Sequence, residues 1–331
     1  MRLLIVAMAN SIHTARWLSQ VADRGWDIHL FPSIDDWIDV HPDIRGVTLH
    51  HSGCRRVAPN AAGVRFRGVS AFRRAADVYR RRVSRSDVPG YRARQLARLI
   101  DRIRPDVVHS LEIQHAGYLT IEARRLCRKP FPAWIATNWG SDIYLFGRLA
   151  AHEPRIREVL GACDYYSCEC RRDVCLAKEY GLKGKVLPVF PNTGGFDLDA
   201  VAALRRPGPV SARRTIVLKG YQHWAGRALV GLRALERCAD ALSGYDVAVY
   251  SATPDVAIAA ELMGKETGIP VRIVPKETPH REILALHGRA RISVGLSISD
   301  AISTSLLESI VMGSFPVQSW TACADEWIED G

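Results

Sequence analysis

Short apolar runs, each bounded by turn residues and followed by an amphipathic stretch, recur along nearly the whole chain. This alternation limits the fold more than any other feature. LLIVAM precedes the helix pattern HTARWLSQVADRG and then DIHLF; DVVHSLE, AWIATNW, YYSCE and VLPVF follow in turn. Unbroken runs of this length fit strands buried on both faces, and strands alternating with helices build a parallel sheet of the α/β class. At 191–214, PNTGGFDLDAVAALRRPGPVSARR, Pro and Gly gather and the periodicity lapses, which places a linker near 205–213. The alternation then restarts with TIVLKGY, RALVGLRALERCADAL, DVAVYSA, VRIVP and ISVGLSIS. The expectation is two Rossmann-like α/β domains, 1–205 and 206–331, with parallel sheets facing across a cleft. A ligand would sit there, at the C-terminal ends of the strands.

The apolar runs are too short to span a bilayer, and the first lacks the layout of a signal peptide, so a cytoplasmic protein is expected. Eight cysteines are scattered except for CDYYSCECRRDVC at 163–175. Its C-x4-C-x-C-x4-C spacing lacks the paired C-x-x-C of zinc and iron–sulfur sites, so free thiols and no metal are expected. The net charge of +10 is concentrated: residues 55–104 hold 15 Arg, three Asp and no Lys or Glu, and the remainder is slightly acidic. Within that region AFRRAADVYRRRV lines Phe72, Ala75, Ala76, Tyr79 and Val83 along one helical face, with arginines on the other. Two readings stay open: a solvated helix packed on its own domain, or a helix lying on an anionic membrane. Aromatics are not interleaved as single-strand nucleic-acid binders require, so no nucleic acid is expected. The chain ends at EWIEDG, where an amphipathic helix would ordinarily lead onward, so the second domain is expected to be incomplete at its C-terminus.

Residues 297–309 read SISDAISTSLLES and join a buried strand to a helix that Gly313 should end. Small side chains let the backbone amides of that turn approach a ligand. With the positive end of the helix they form a site suited to phosphate. Ser303, Thr304 and Ser305 add hydroxyls, and Glu308, a turn deeper, could accept hydrogen bonds from a sugar. The competing reading is a capping box, Ser305 with Glu308, in which both side chains merely close the helix start.

The region 279–331 resembles the donor-binding half of the retaining glycosyltransferases of the GT-B fold, the large family-four group. The likeness rests on two acids, Asp300 and Glu308, separated by seven residues at a strand-to-helix junction, and on GSFPVQS after the helix. The resemblance implies that Glu308 holds the ribose of a nucleotide sugar and that the amides of Ile302 to Leu306 hold its diphosphate. Asp300 stands where the family usually has Glu, near the transferred sugar.

Weaker likeness covers the rest. MRLLIVAMANSIHTARW resembles the first strand and loop, with Asn10, Ser11 and His13 in the cleft. PAWIATNWGSDIY resembles the loop written His-Gly-Ser-Asp in many members, here Trp139, Gly140, Ser141 and Asp142. PNTGGFDLD resembles the family linker, so Asp197 and Asp199 are not read as a metal motif. TIVLKGYQHWAGRALVGL resembles the first strand of the donor domain. There a basic pair brackets the diphosphate: Lys219 is near the first base, and Arg227 lies two residues past the usual Lys position, Ala225.

Together these imply a metal-independent, retaining transferase with no cofactor beyond the nucleotide-sugar co-substrate. Asp300 and Asp142 serve the reacting groups, and the acceptor is an unidentified glycan, lipid or small molecule. The alternatives are a sugar-nucleotide epimerase of the same fold, or a membrane- or RNA-binding module built on residues 55–104. A dehydrogenase is excluded because no G-x-G-x-x-G follows the first strand.

Overall fold

LLIVAM forms β1 (Arg2–Ala7), whose alternate residues point to opposite faces of a sheet. Leu3, Ile5 and Ala7 join Ala15 and Leu18 of α1 (Ile12–Ser19) in one core; Leu4 and Val6 join a larger core on the other face. Both faces are covered, which is why the run carries no polar position after Arg2. The computed structural model describes residues 1–34, 40–50, 63–67, 90–193 and 195–330. The stretch from Phe72 to Val83 lies outside them. The chain divides into two units, Met1–Gly195 and Phe196–Gly331.

The first unit continues with β2 (Asp27–Pro32), β3 (Thr48–His50), β4 (Arg65–Arg67), α2 (Tyr91–Ile103), β5 (Val107–Leu111), α3 (Tyr118–Leu126) and β6 (Ala133–Thr137). It closes with α4 (Ser141–Tyr144), α5 (Glu153–Ala162), β7 (Tyr165–Ser167), α6 (Arg171–Glu179) and β8 (Lys185–Val186). The strands lie in the order β4-β3-β2-β1-β5-β6-β7-β8, all pairs parallel. In α2, Ala93, Leu96, Ala97 and Ile100 recur at helical spacing and are buried against the sheet, leaving most of its arginines outside. At VLPVF the strand is short, β8 covering Lys185–Val186 with the Leu187 amide still donating to the Tyr166 carbonyl at 2.8 Å, and Pro188 beyond it brings no N–H to a ladder.

The second unit contains α7 (Leu198–Ala202), β9 (Thr215–Lys219), α8 (Ala228–Arg237), β10 (Asp246–Tyr250), α9 (Pro254–Thr267) and β11 (Val271–Ile273). α10 (His280–Arg289), β12 (Ala290–Gly295), α11 (Thr304–Met312) and β13 (Phe315–Gln318) complete it. Its parallel sheet runs β11-β10-β9-β12-β13. Gly313, at φ +74°, ends α11 as the sequence predicts.

The units part at 195/196, ten residues before the expected boundary. The reason is α7. Asp197 caps it by accepting the amides of Asp199 and Ala200, and Val201 is buried with Leu284 and Met312. The expected linker at 205–213 is likewise tied to the second unit. Arg205 Nε donates to the Val311 carbonyl at 2.6 Å, and the buried Arg213 Nη1 donates to those of Ala290 at 3.1 Å and Gly313 at 3.3 Å. The described cysteines are free thiols. Among the described residues no helix is long and apolar enough to cross a membrane.

This boundary is testable with fragments. One beginning at Phe196 should resist urea better than one beginning at Arg206, by about 2 kcal/mol, the worth of burying one aliphatic side chain. Equal urea midpoints and slopes would return the boundary to 205.

Candidate active site

In the second sheet the strand order reverses between β9 and β12. At such a switch point the loops after the two strands lead away in opposite directions and leave a crevice at the C-terminal strand ends. The two loops, 220–227 and 296–303, are tied across their mouths. Gly226 and Ser297 form an antiparallel bridge, the Arg227 amide donates to the Leu296 carbonyl at 3.1 Å, and the Ile298 amide donates to Ala225 at 2.9 Å. A Cβ on Gly226 would lie 2.4 Å from the Tyr221 carbonyl oxygen, so only glycine permits this approach.

α11 starts at Thr304 with Ser303 as N-cap and no side-chain cap bond. Ser305 and Glu308 are therefore the second and fifth helical residues, and the capping box, which needs the cap and the third, is not built. The Leu306 amide donates to the Ser303 carbonyl at 2.9 Å, and Ala301's donates to Asp300 Oδ1 at 3.0 Å. Leu306 thus drops out of the expected cradle, its side chain buried with Ile302, Leu307 and Ala324. The amides of Ile302, Ser303, Thr304 and Ser305 have no partner among the described residues. Ser303 Oγ and Ser305 Oγ lie 2.7 Å apart, and Thr304 is half-buried.

Glu308 is only 5% exposed. Its Oε1 is 2.7 Å from His280 Nε2, and its Oε2 is 3.6 Å from His287 Nε2. The two histidines, seven residues apart on α10, share one helical face. His287 Nδ1 is 2.8 Å from Ser293 Oγ, and Tyr250 meets the same imidazole edge-on with ring centroids 5.5 Å apart. Burial holds His287 down to about 4, so it is neutral at physiological pH. Lys219, the last residue of β9, places its ammonium 4.8 Å from the centre of the Tyr221 ring and has no ion pair among the described residues. The Arg227 side chain, expected to meet phosphate, has its Nη1 donating to the carbonyls of His223 at 2.8 Å and Gly226 at 2.7 Å. The guanidinium braces its own loop.

In the first unit the order reverses between β1 and β5. After β1, Asn10 is exposed and Ser11 caps α1 by accepting the His13 amide at 3.2 Å. The His13 ring meets Trp139 with centroids 5.5 Å apart, and Trp139 is half-buried against the core of β1 and α1. After β5 comes Glu112, buried, with φ +74° and ψ 156°. Its Oε1 accepts the amides of His115 at 2.7 Å and of Ala116, which holds the turn at 113–117. After β6, Gly140 precedes the short helix of Ser141 and Asp142. Asp142 Oδ2 accepts the amides of Ile113 at 3.0 Å and Trp139 at 3.2 Å. Burial first, then the Glu112 charge, pushes the Asp142 carboxyl up to about 7.

Residues 70–165 match the family described as glycosyl transferase 4-like. Solved structures resemble the chain over nearly its full length. An α,α-trehalose-phosphate synthase from Burkholderia xenovorans, in complex with glucose-6-phosphate, is 12% identical with a TM-score of 0.65, over 98% of this chain and 87% of that one. Sucrose-phosphate synthase from Thermosynechococcus elongatus is 13% identical at 0.61, over 98% and 83%. Anabaena HepE in complex with UDP is 11% identical at 0.60, over 100% and 84%. The chain has the GT-B fold. No curated protein matches the sequence.

Three residues of the candidate site escaped sequence reading. Glu112 had one signal, an acid closing a buried apolar run. His280 and His287 had another, two histidines at i and i+7 in HREILALH, but nothing in the sequence pairs them with Glu308. Asp142 leads to a prediction. Its carboxyl lies near 7 when folded against 3.8 when free, so its contribution to stability is complete in acid and is lost as pH rises through 7. Asp142→Asn keeps an oxygen for both amides, and it should flatten the fall in Tm between pH 5 and 8. A Tm profile parallel to wild type would show the carboxyl to be ionised throughout.

Proposed function

We propose that the enzyme transfers a sugar from a nucleoside-diphosphate sugar to an acceptor hydroxyl, without a metal ion and with retention of configuration. The bond from the anomeric carbon to the diphosphate breaks, a bond to the acceptor oxygen forms, and the acceptor's proton leaves with the diphosphate or to solvent. The departing diphosphate gains charge as the bond breaks, and catalysis requires groups already aimed at that charge. One observation carries the reading: four amides, Ile302 to Ser305, without a partner among the described residues, at the positive end of α11. Lys219 ends the adjacent strand, and Glu308, held by His280, lies a turn deeper to accept the ribose hydroxyls.

Asp300, on the same loop, is assigned to the transferred sugar. In the first unit, Asp142 positions the 139–142 loop on the acceptor side, where Asn10, Ser11, His13, Trp139, Gly140 and Ser141 are assigned to sugar or acceptor contacts. Retention comes with the resemblance to family four. Because HepE was solved with UDP, uridine is the first nucleotide to test.

A thermal-shift panel of UDP-, GDP- and ADP-sugars should single out one donor. With that donor, assayed in EDTA, Glu308→Ala should lower kcat/KM about a hundredfold, roughly 3 kcal/mol of barrier, with the circular dichroism unchanged. Turnover within threefold of wild type removes Glu308 from the site. Arg227→Ala should weaken donor binding about tenfold through a loosened loop, visible as faster hydrogen exchange at 223–226. Lost affinity with unchanged exchange would mean that Arg227 touches phosphate directly.

A further inference from the structure

A sheet covered on both faces is ordinarily apolar on both. The face of the first sheet that carries Leu4, Val6, Phe31 and Val108 obeys this rule under α2 and α3 and then departs from it towards β4. There β2 presents Asp27 and His29, β3 presents Thr48 and His50, and β4 presents Arg65 and Arg67, each pair two residues apart and so on one face. The register aligns His29 with Thr48 and Thr48 with Arg65, and sets His50 beside Arg67. The last turn of α2 adds Arg102. All of these except His50, together with Arg2, line a cavity of about 440 Å³, and His50 sits behind His29.

Its charges do not balance internally. Among the described residues the one carboxylate in the lining, Asp27, already takes Arg2 Nε at 2.8 Å and lies 3.2 Å from His29 Nε2. Arg65, Arg67 and Arg102 have neither an ion pair nor a side-chain hydrogen bond among the described residues. The histidines offer no negative charge and little room for a positive one. His29 Nδ1 is 2.7 Å from His50 Nε2, so one must donate and the other accept. Burial, then the neighbouring His29, Arg102 and Arg67, holds His50 down to about 4.

We infer that this cavity binds the phosphate group of a small ligand or of a lipid headgroup, at a site separate from the nucleotide-sugar cradle of the second unit. Planar guanidinium groups take two phosphate oxygens each, and a polar, arginine-lined cavity of this size suits one phosphomonoester group with a small body. The inference stands whether or not the proposed transfer reaction does, since the cavity shares no residue with it.

The test uses the full chain with 15N-labelled histidine. Inorganic phosphate, titrated against sodium chloride at constant ionic strength, should move the His29 and His50 imidazole signals saturably. Arg65→Gln with Arg67→Gln, both at exposed positions, should weaken that response at least about tenfold while leaving nucleotide-sugar binding unchanged. Vesicles of phosphatidylcholine with phosphatidic acid separate the two sources. Co-sedimentation lost in the double variant assigns the phosphate to a lipid; saturation by inorganic phosphate without vesicle binding assigns it to a free ligand. Imidazole signals unmoved by both probes, or a double variant that responds like wild type, overturns the inference.

Discussion

The strap between the loops after β9 and β12 is the contact that fixes the second unit's candidate site. A parallel sheet holds its strands by a ladder but leaves the loops beyond them to find their own partners. Here the Gly226–Ser297 bridge extends the pairing past the strand ends, with the Arg227 and Ile298 amides completing it. Fixing a residue's backbone costs about 1–2 kcal/mol, so loops already fixed by such bonds need not be ordered again when a ligand arrives. The amides at the start of α11 are therefore held in place by the fold. That is the condition under which dipoles stabilise a developing charge without reorganisation.

Much of this could be read from residues because its causes are local. Apolar runs without polar interruption gave the buried strands, Gly313 gave the helix end, and the small side chains of DAISTS gave an approachable backbone. What the sequence hid depends on contacts between elements distant along the chain. Arg227 looked like a phosphate ligand because a guanidinium binds two oxygens, yet the nearest oxygens are the carbonyls of its own loop. The segment 205–213 looked like a linker because of its Pro and Gly, while Arg205 and Arg213 bind it into the second unit. No local pattern announces that α10 lays His280 against a glutamate 28 residues onward.

Two of the buried acids, Glu308 and Asp142, are handled differently. Glu308 has an imidazole at 2.7 Å, so its charge meets a donor that can share a proton with it. Asp142 faces backbone amides together with another buried carboxylate, and its affinity for a proton rises instead. One carboxyl is given a side-chain partner, while the other is surrounded by backbone amides and a second acid.

Glu112 joins these themes at a single residue. Its backbone occupies a region that side chains other than glycine seldom enter, at roughly 1–3 kcal/mol. Glycine would relax the chain there but would remove the acid that clasps the turn at 113–117 and faces Asp142. Selection for heat resistance alone would push this position towards glycine, while upkeep of the buried acid pushes it back. An engineer hardening the protein would meet that conflict at position 112.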